Sequence, residues 1–192
     1  MSSDIWIFSD HHFSHSNILN FRGRDGKLIR PMFENVNHMD EYMIDMWNES
    51  IKPGDSVWHL GDITMNSKKF TDSILNKLHG KIRMVIGNHD DALFLAKLGR
   101  IQKLVESRRF DEFGFVCTHT PRHRSGLWNF RRGCYTVNVH GHTHINSVQD
   151  DLYINVCVEQ TGYKPIHIED LTKQVRVLQT KWLEKHGGEY IG

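Results

Sequence analysis

Short apolar runs recur along the chain and predict β-strands. Each run is four or five residues long, rich in β-branched or aromatic side chains, and ends at a polar or turn-forming cluster. The five clearest runs are residues 5–8, 56–60, 82–86, 113–117 and 135–139. We expect further strands within residues 151–158 and 174–178.

Three segments between these runs predict helices. In residues 34–51 the side chains of Val36, Met39, Met43 and Trp47 recur at near-helical spacing. Residues 70–80 and 91–99 repeat the pattern, and glycines stand where these two helices should stop. Strands alternate with helices at first and dominate after about residue 101. This order predicts an α/β or α+β fold of sheets covered by helices, in a single domain spanning residues 1–192.

Composition limits the class of protein, the binding partners and the cellular compartment that we expect. The chain has 192 residues, 39% of them hydrophobic, which is enough to bury a sizeable core. A formal net charge of +1 gives no overall electrostatic case for nucleic acid or membrane surfaces. No apolar run approaches the roughly 20 residues that span a bilayer. The three cysteines form no CxxC pair and no basic-then-apolar leader opens the chain, so we expect reduced thiols and a cytoplasmic protein.

Polar side chains follow each of the five clearest runs. They are Asp10-His11-His12, Gly61-Asp62, Gly87-Asn88-His89-Asp90, His119 and His140-Gly141-His142-Thr143-His144. Taken singly, the first two clusters are explained as polar turns, the third is compatible with a turn or a site, and the G-H-T-H cluster favours a site most. Five clusters in order, each after a strand, favour one common site, because the carboxyl ends of strands in layered α/β sheets are where ligands bind.

The side chains at these strand ends suit divalent metals. Aspartate, histidine and asparagine offer oxygen and nitrogen donors without thiolate, a set that favours Mn, Fe, Zn or Ni over a structural zinc site. The candidate ligands are Asp10, His12, Asp62, Asn88, His119, His142 and His144. This number exceeds the needs of one ion, so we expect two divalent ions with one bridging carboxylate. We expect Mn²⁺ first, with Fe, Ni or Zn as alternatives. Paired ions clamp a phosphate and activate a water.

The same motifs, in the same order, resemble those of the calcineurin-like metallophosphoesterases, whose pattern is D-x-H, G-D, G-N-H-D/E, a lone H, and G-H-x-H. The resemblance covers residues 10 to 144, and the sequence around the motifs resembles the small bacterial and phage branch of the family. It implies a fold of two packed β-sheets flanked by helices. It also implies a metal-dependent phosphoesterase.

The resemblance further implies a role for each motif residue. Asp10, His12 and His144 would hold the first metal, and Asn88, His119 and His142 the second, with Asp62 as the bridge. His89 would face the leaving-group oxygen, with Asp90 as the carboxylate that orients it. A histidine is well suited to deliver a proton near pH 7, and a carboxylate partner fixes its tautomer.

Residues outside the motifs are candidates for substrate contacts. His15 or Asn17 follows the first motif closely, and Arg30 belongs to a polar loop at residues 22–33. Arg122 and His123 open a second loop at residues 120–133, which also carries Trp128 and Phe130. A guanidinium pairs well with phosphate and an aromatic ring can stack on a base. The alternative is a solvated basic loop with one or two anchoring aromatics.

The function expected from these features is hydrolysis of a phosphodiester of small-nucleotide or cyclic-nucleotide type. The alternatives are a nuclease acting on DNA or RNA, a phosphomonoesterase, and a non-catalytic scaffold of the same fold. The expected partner is a small phosphoester or nucleotide, nucleic acid is not favoured, and no membrane partner is expected. Nothing in the sequence indicates a symmetric interface, so the oligomeric state stays open.

Overall fold

The structure is a computed structural model that describes residues 4–129 and 134–186. Its larger sheet has five strands in the order β11-β1-β2-β3-β4. These strands are β1 (Ile5–Phe8), β2 (Ser56–His59), β3 (Lys81–Val85), β4 (Ile101–Val105) and β11 (Ile166–His167). Strands β1 to β4 run parallel to one another, and β11 pairs antiparallel at the edge beside β1.

The second sheet has four strands in the order β10-β9-β6-β5. They are β5 (Ser107–Phe110), β6 (Phe115–Thr118), β9 (Val137–His140) and β10 (Tyr153–Asn155). Strand β6 is parallel to β9. A separate two-stranded ribbon pairs β7 (Trp128–Asn129) with β8 (Cys134–Tyr135).

In the part of the chain that the structure describes, five α-helices accompany the sheets. They are α1 (Val36–Ser50), α2 (Lys68–Lys77), α3 (Ala92–Leu95), α4 (Val158–Thr161) and α5 (Ile168–His186). Short polar side chains satisfy the free amides at the starts of α1 and α2: Asn35 accepts from the His38 amide and Ser67 accepts from the Phe70 amide. No helix in the described part of the chain is both long and apolar enough to cross a membrane.

Alternation along the strands sends side chains into two separate cores. On β1, Phe8 joins the core that contains Met43 and Trp47 of α1, with Ile74 and Leu75 of α2. Its neighbour Ile7 points the opposite way, into a core between the two sheets that also receives α5. Helices α1 and α2 therefore cover one face of the larger sheet, and α5 packs against strands of both sheets. This confirms the fold expected from the sequence, two sheets flanked by helices.

Two details of the expected strands are corrected. Residues 174–178 are not a strand but the middle of α5. The buried or half-buried positions Ile168, Leu171, Val175, Leu178 and Trp182 recur every three or four residues, which is the stripe of a helix packed on a sheet. Residues 151–158 contain only the short strand β10, because Val158 already begins α4.

The parallel strands determine where the site forms. Strands β1, β2 and β3 are parallel neighbours, so their carboxyl ends meet at one edge of the larger sheet. The parallel strands β6 and β9 do the same in the second sheet. A bridge between Ser9 and Cys157, with a hydrogen bond from the Val158 amide to the Ser9 carbonyl, ties these two edges together, and the Gly141 amide donates to the His119 carbonyl to join the ends of β6 and β9.

Candidate metal centre

The loops after β1 and β9 build a first ligand group from Asp10, His12 and His144. One donor atom from each side chain lies within 4.8 Å of the others. Asp10 is fully buried and His12 is 2% exposed. Burying an aspartate charge costs free energy unless hydrogen bonds or a cation compensate it. This group is therefore a candidate site for a bound cation.

The loops after β2, β6 and β9 build a second ligand group from Asp62, His119 and His142, whose donor atoms also lie within 4.8 Å of one another. Asn88 adjoins this group, because its Oδ1 is 2.8 Å from His119 Nε2. His142 and Asn88 are exposed, unlike the first group's Asp10 and His12. The structure thus brings together all seven residues that the strand ends nominate as metal ligands.

Asp62 stands between the two ligand groups. Its Oδ2 is 3.5 Å from His12 Nε2 and 3.4 Å from His119 Nε2. Its Oδ1 accepts a hydrogen bond from the His89 amide. One carboxylate oxygen therefore faces a ligand of each group, which is the position that a bridging carboxylate requires.

The backbone is strained where the ligands stand. Seven described non-glycine residues have positive φ angles, and five of them are Asp10, His12, Asp62, His142 and His144, at 49° to 67°. This left-handed conformation costs of order 1–3 kcal/mol per residue, and such strain clusters at functional sites. The strain lets alternate residues of each tight loop point toward the same centre.

The motif glycines are explained by close approach. A Cβ atom on Gly87 would overlap the Asp62 carboxylate, and one on Gly141 would overlap Asp10 Oδ2 and Ser9 Oγ. Any larger residue would push a candidate ligand out of place. The glycines of the G-N-H-D and G-H-x-H motifs are therefore part of the geometry of the site.

Unsatisfied buried atoms fit the binding of divalent cations. Asp10 Oδ1 and both ring nitrogens of His12 are buried without a hydrogen-bond partner among the described residues. Burial by itself raises the pKa of Asp10, but the His12 ring, whose Nε2 lies 3.8 Å from Asp10 Oδ1, and the nearby imidazoles of His119 and His144 hold that pKa below its usual range. Burial also acts to raise the pKa of Asp62, and His119 more than offsets it. Both carboxyl groups therefore favour the ionised form that a metal needs.

Partners behind the imidazoles fix which nitrogen is free. Glu159 Oε1 is 2.9 Å from His144 Nδ1, and the Leu60 carbonyl is 2.8 Å from His119 Nδ1. Each contact leaves Nε2 for the centre, and a carboxylate behind a histidine raises its basicity as a ligand. Glu159 lies outside every motif, and nothing in its local sequence marks it.

Arg30 does not lie where we expected a substrate contact. Its side chain is fully buried and forms an ion pair with Glu159 at 2.8 Å. It also donates to the backbone carbonyls of Asp10 and His11 at 2.7 and 2.8 Å. Arg30 therefore neutralises Glu159 and holds the loop of the first ligand group, and substrate has no access to it.

Cys157 is a further neighbour that the motifs do not reveal. Its Sγ donates to Asp10 Oδ2 at 3.3 Å, and burial raises the pKa of the thiol well above its usual value. The protonated thiol donates to the carboxylate and does not compete as a ligand. The donor set at the centre thus remains oxygen and nitrogen.

Asp90 has a different role from the one expected. Its two carboxylate oxygens accept hydrogen bonds from the backbone amides of Gly87, Asp62 and Ile63 at 2.8 to 3.2 Å. These bonds join the G-D and G-N-H-D loops, so Asp90 fixes backbone and does not orient the His89 ring. The His89 ring is exposed and its centroid is 5.6 Å from that of His12, at the mouth of the centre.

The remaining candidates for substrate contacts divide into two sets. His15 is half-buried with its ring 5.5 Å from that of His12, and Arg122 borders a 390 Å³ cavity with Asn88 and His119. Asn17 is exposed on a short 3-10 helix (Ser16–Asn20) and lines none of the described cavities beside the centre.

The second loop is partly committed to structure. The exposed side chain of His123 caps a 3-10 turn through Ser125. Trp128 packs edge-on against Tyr135, and Arg124 pairs with Asp150 at 3.3 Å. Phe130 lies outside the described residues.

The arrangement matches a known family. The model of the calcineurin-like phosphoesterase superfamily domain matches residues 4–158, which include every candidate ligand. The chain belongs to this superfamily. Membership supports activity as a metal-dependent phosphoesterase, and the two ligand groups are the candidate sites for divalent metals in this calcineurin-like phosphoesterase.

Relatives with similar sequences carry no described activity. The chain is 29% identical to an uncharacterized protein of Methanocaldococcus jannaschii, over 89% of this chain and 90% of the relative. It is 25% identical to the gene 66 protein of Mycobacterium phage D29, over 78% of this chain and 83% of the relative. A protein of unknown function from Aquifex aeolicus has a similar crystal structure, with a TM-score of 0.63, 22% identity, and coverage of 90% of this chain and 99% of that chain. The Aquifex aeolicus protein therefore has a similar fold to this chain.

Proposed function

We propose that this phosphoesterase is a dinuclear enzyme that hydrolyses a small phosphodiester of nucleotide or cyclic-nucleotide type. The observation that carries the proposal is the position of Asp62, whose Oδ2 lies 3.5 Å from a nitrogen of one ligand group and 3.4 Å from a nitrogen of the other. Two divalent ions bound there would stabilise charge on the phosphoryl oxygens and favour deprotonation of an attacking water. Mn²⁺ is the ion proposed first, with Fe, Ni or Zn as alternatives suited to the same donors.

His89 is the proposed proton donor to the leaving group. Its amide is held by Asp62 Oδ1 at 2.9 Å, so the exposed ring stays at the edge of the centre. A proton delivered to the departing alkoxide oxygen removes the charge that would otherwise build there. Asp90 contributes indirectly, because it locks the loop from which His89 projects.

Arg122 is the proposed clamp on a phosphoryl oxygen. Its amide donates to Asn138 Oδ1 and its carbonyl accepts from the Tyr153 hydroxyl, both at 2.7 Å. The backbone is thus fixed while the residue borders the cavity beside the second ligand group. A guanidinium there would pair with phosphate in a fork of two hydrogen bonds.

Room on both sides of the centre supports a diester over a monoester. A 450 Å³ cavity adjoins His144 of the first ligand group, and the 390 Å³ cavity adjoins His119 of the second. A phosphorus atom between the groups would carry one substituent toward each cavity. The engaged side chains of Trp128 and Arg124 leave less of the second loop free for a nucleic-acid track, which supports a small substrate over DNA or RNA.

The setting proposed for this activity is the cytoplasm. The two cysteines with described side chains, Cys117 and Cys157, are free and buried, in keeping with a reducing compartment.

The test begins with metal-free protein. We would strip the protein with chelator, add back Mn²⁺, Ni²⁺, Zn²⁺ or Mg²⁺ singly, and assay bis-(p-nitrophenyl) phosphate beside p-nitrophenyl phosphate. We expect metal-restored turnover with the diester preferred, and a loss of about 10²- to 10⁴-fold in His89→Ala. His38→Ala, at an exposed histidine of α1, is the matched control. Full activity in His89→Ala would refute its role, and preference for the monoester would refute the proposed substrate class.

A further inference from the structure

The cavity beside His144 has features that the phosphoryl chemistry does not use. Its volume is 450 Å³, within the range of small-molecule sites. Phe21, Ile29 and Ile145 supply apolar walls, and the amide side chains of Asn20 and Asn146 stand among them. An apolar cleft with a few amide groups is what a planar heterocycle with polar edges requires.

Phe21 is unusual among the walls because it is 46% exposed. Unlike the exposed Leu93 and Val177, it lines a cavity beside the first ligand group, so its uncovered ring surface is available to a bound ligand. Its edge meets the His15 ring at right angles, with centroids 5.5 Å apart. His15 in turn stands 5.5 Å from the His12 ring, so the ring of Phe21 is joined to the first ligand group by packed side chains.

The backbone holds Phe21 in place before any ligand binds. Its amide donates to the Ile18 carbonyl at 3.2 Å, and its carbonyl accepts from the Ile29 amide at 2.9 Å. A bridge between Arg22 and Leu28 closes the loop that follows. Such a preformed wall binds a ligand without first paying the entropy of ordering itself.

Gly23 brings this loop against the G-H-x-H segment. A Cβ atom on Gly23 would overlap the Cδ1 atom of Ile145, the residue that follows His144. The cavity therefore has one wall from the Phe21 loop and one from the segment that supplies a candidate metal ligand. His144 itself lines the cavity, so a group bound between the walls adjoins the first ligand group.

We propose that this cavity binds the nucleoside of a phosphodiester, with the base stacked on the exposed face of Phe21. The inference rests on the proposed phosphodiesterase function and adds the place where the nucleoside binds and the residue that selects it. Every base offers a π-face to an aromatic ring, while Asn20 and Asn146 can meet the polar edge of the base. A purely aliphatic substituent would gain nothing from the ring face.

Two substrates separate stacking from chemistry. Thymidine 5′-(p-nitrophenyl phosphate) and methyl p-nitrophenyl phosphate share the diester and the leaving group, and differ only in nucleoside against methyl. We expect wild-type protein with Mn²⁺ to prefer the nucleoside ester in kcat/KM. We expect Phe21→Leu to reduce that preference by about 5- to 150-fold, the value of one stacked base, with the methyl ester unaffected. Phe21→Trp should keep the preference, and Val177→Ala, at another exposed apolar side chain, is the control.

A binding measurement supplies a second readout. Calorimetric titration with thymidine 5′-monophosphate should give weaker binding to Phe21→Leu than to wild type, by the same factor. An unchanged preference and unchanged binding in Phe21→Leu, with both esters still hydrolysed, would overturn the stacking site alone. Failure to hydrolyse either ester with any metal would instead overturn the phosphodiesterase proposal, and nucleotide binding would then decide the cavity by itself.

Discussion

The two ligand groups of the centre differ in how they are supported. The first group is set in protein: Asp10 and His12 are buried, and Glu159 stands behind His144. The second group opens to solvent at His142, and its support comes mainly from backbone, such as the Leu60 carbonyl behind His119. Buried, charge-backed ligands hold an ion firmly, whereas exposed ligands leave room for exchange and for substrate. The first group therefore has the features of a permanent metal site, and the second those of a site that also meets the phosphate.

Removing the charge of Asp62, which faces a histidine of each ligand group, should have the largest effect on activity. Asp62→Asn keeps the shape and the hydrogen bond from the His89 amide but removes the charge that faces His12 and His119. We expect the rate of the proposed phosphodiesterase to fall on the order of 10³-fold, because in the proposed dinuclear centre the bridging charge would organise both ions. The measurement is kcat/KM with Mn²⁺ together with metal content per chain. Asp72→Asn, an exposed aspartate of α2, is the control. Equal rates in Asp62→Asn and wild type would show that the groups act independently.

The buried ion pair behind the first group should dominate its stability. Arg30→Met removes the guanidinium from the buried Glu159, which keeps only the His144 imidazole as a partner, and removes donors from the carbonyls of Asp10 and His11. We expect a loss of about 3–5 kcal/mol in the free energy of unfolding, measured by urea denaturation of metal-free protein. Arg24→Met changes an exposed arginine of the same loop and should stay within about 0.5 kcal/mol of wild type. Similar midpoints for the two variants would mean that this pair does not stabilise the fold.

Metal affinity should sharpen the difference between the groups. Glu159→Gln keeps an acceptor for His144 but removes its charge, so we expect the tighter of two Mn²⁺ sites to weaken about 10- to 100-fold. Asn88→Ala removes a donor beside His119 and should weaken the looser site, widening the gap between the two constants. Calorimetric titration with Mn²⁺ resolves the two constants, and Glu169→Gln, exposed on α5, is the control. The assignment fails if both variants weaken the same site.

The same contrast explains which residues of the site could be predicted from the sequence and which could not. The convergence of the candidate ligands could be predicted because each follows a strand within a few residues, and parallel strands gather their carboxyl ends at one edge. Arg30 and Glu159 could not, because their pairing joins residues 129 positions apart and depends on burial in the finished fold. Residues 174–178 were expected to form a strand, yet the wider stripe from Ile168 to Trp182 packs as a helix. Local sequence patterns indicate the candidate ligands, whereas the residues that support those ligands are determined by tertiary contacts.

The smallest expected effect concerns Asp40 of α1, which supports the first group's loop by accepting a hydrogen bond from the Ser14 amide at 2.9 Å. Burial raises the pKa of Asp40 from 3.8 to about 6, although that hydrogen bond, Arg30 and Lys77 act to lower it. The folded protein therefore binds this proton more tightly than the unfolded chain. Stability from this group is present at low pH and is lost as pH rises from about 4 through about 6.

Asp40→Asn tests this cost of ionisation, since the amide oxygen can still accept from Ser14 and carries no charge. Relative to wild type, we expect the variant to gain about 1 kcal/mol in the free energy of unfolding between pH 5 and pH 8. Urea denaturation of metal-free protein at both pH values measures the difference. Asp45→Asn, at a less buried position of α1, should show no such trend. A constant difference across this range would mean that burial does not raise the pKa of Asp40. Ionisation of Asp40 would then not destabilise the folded protein at neutral pH.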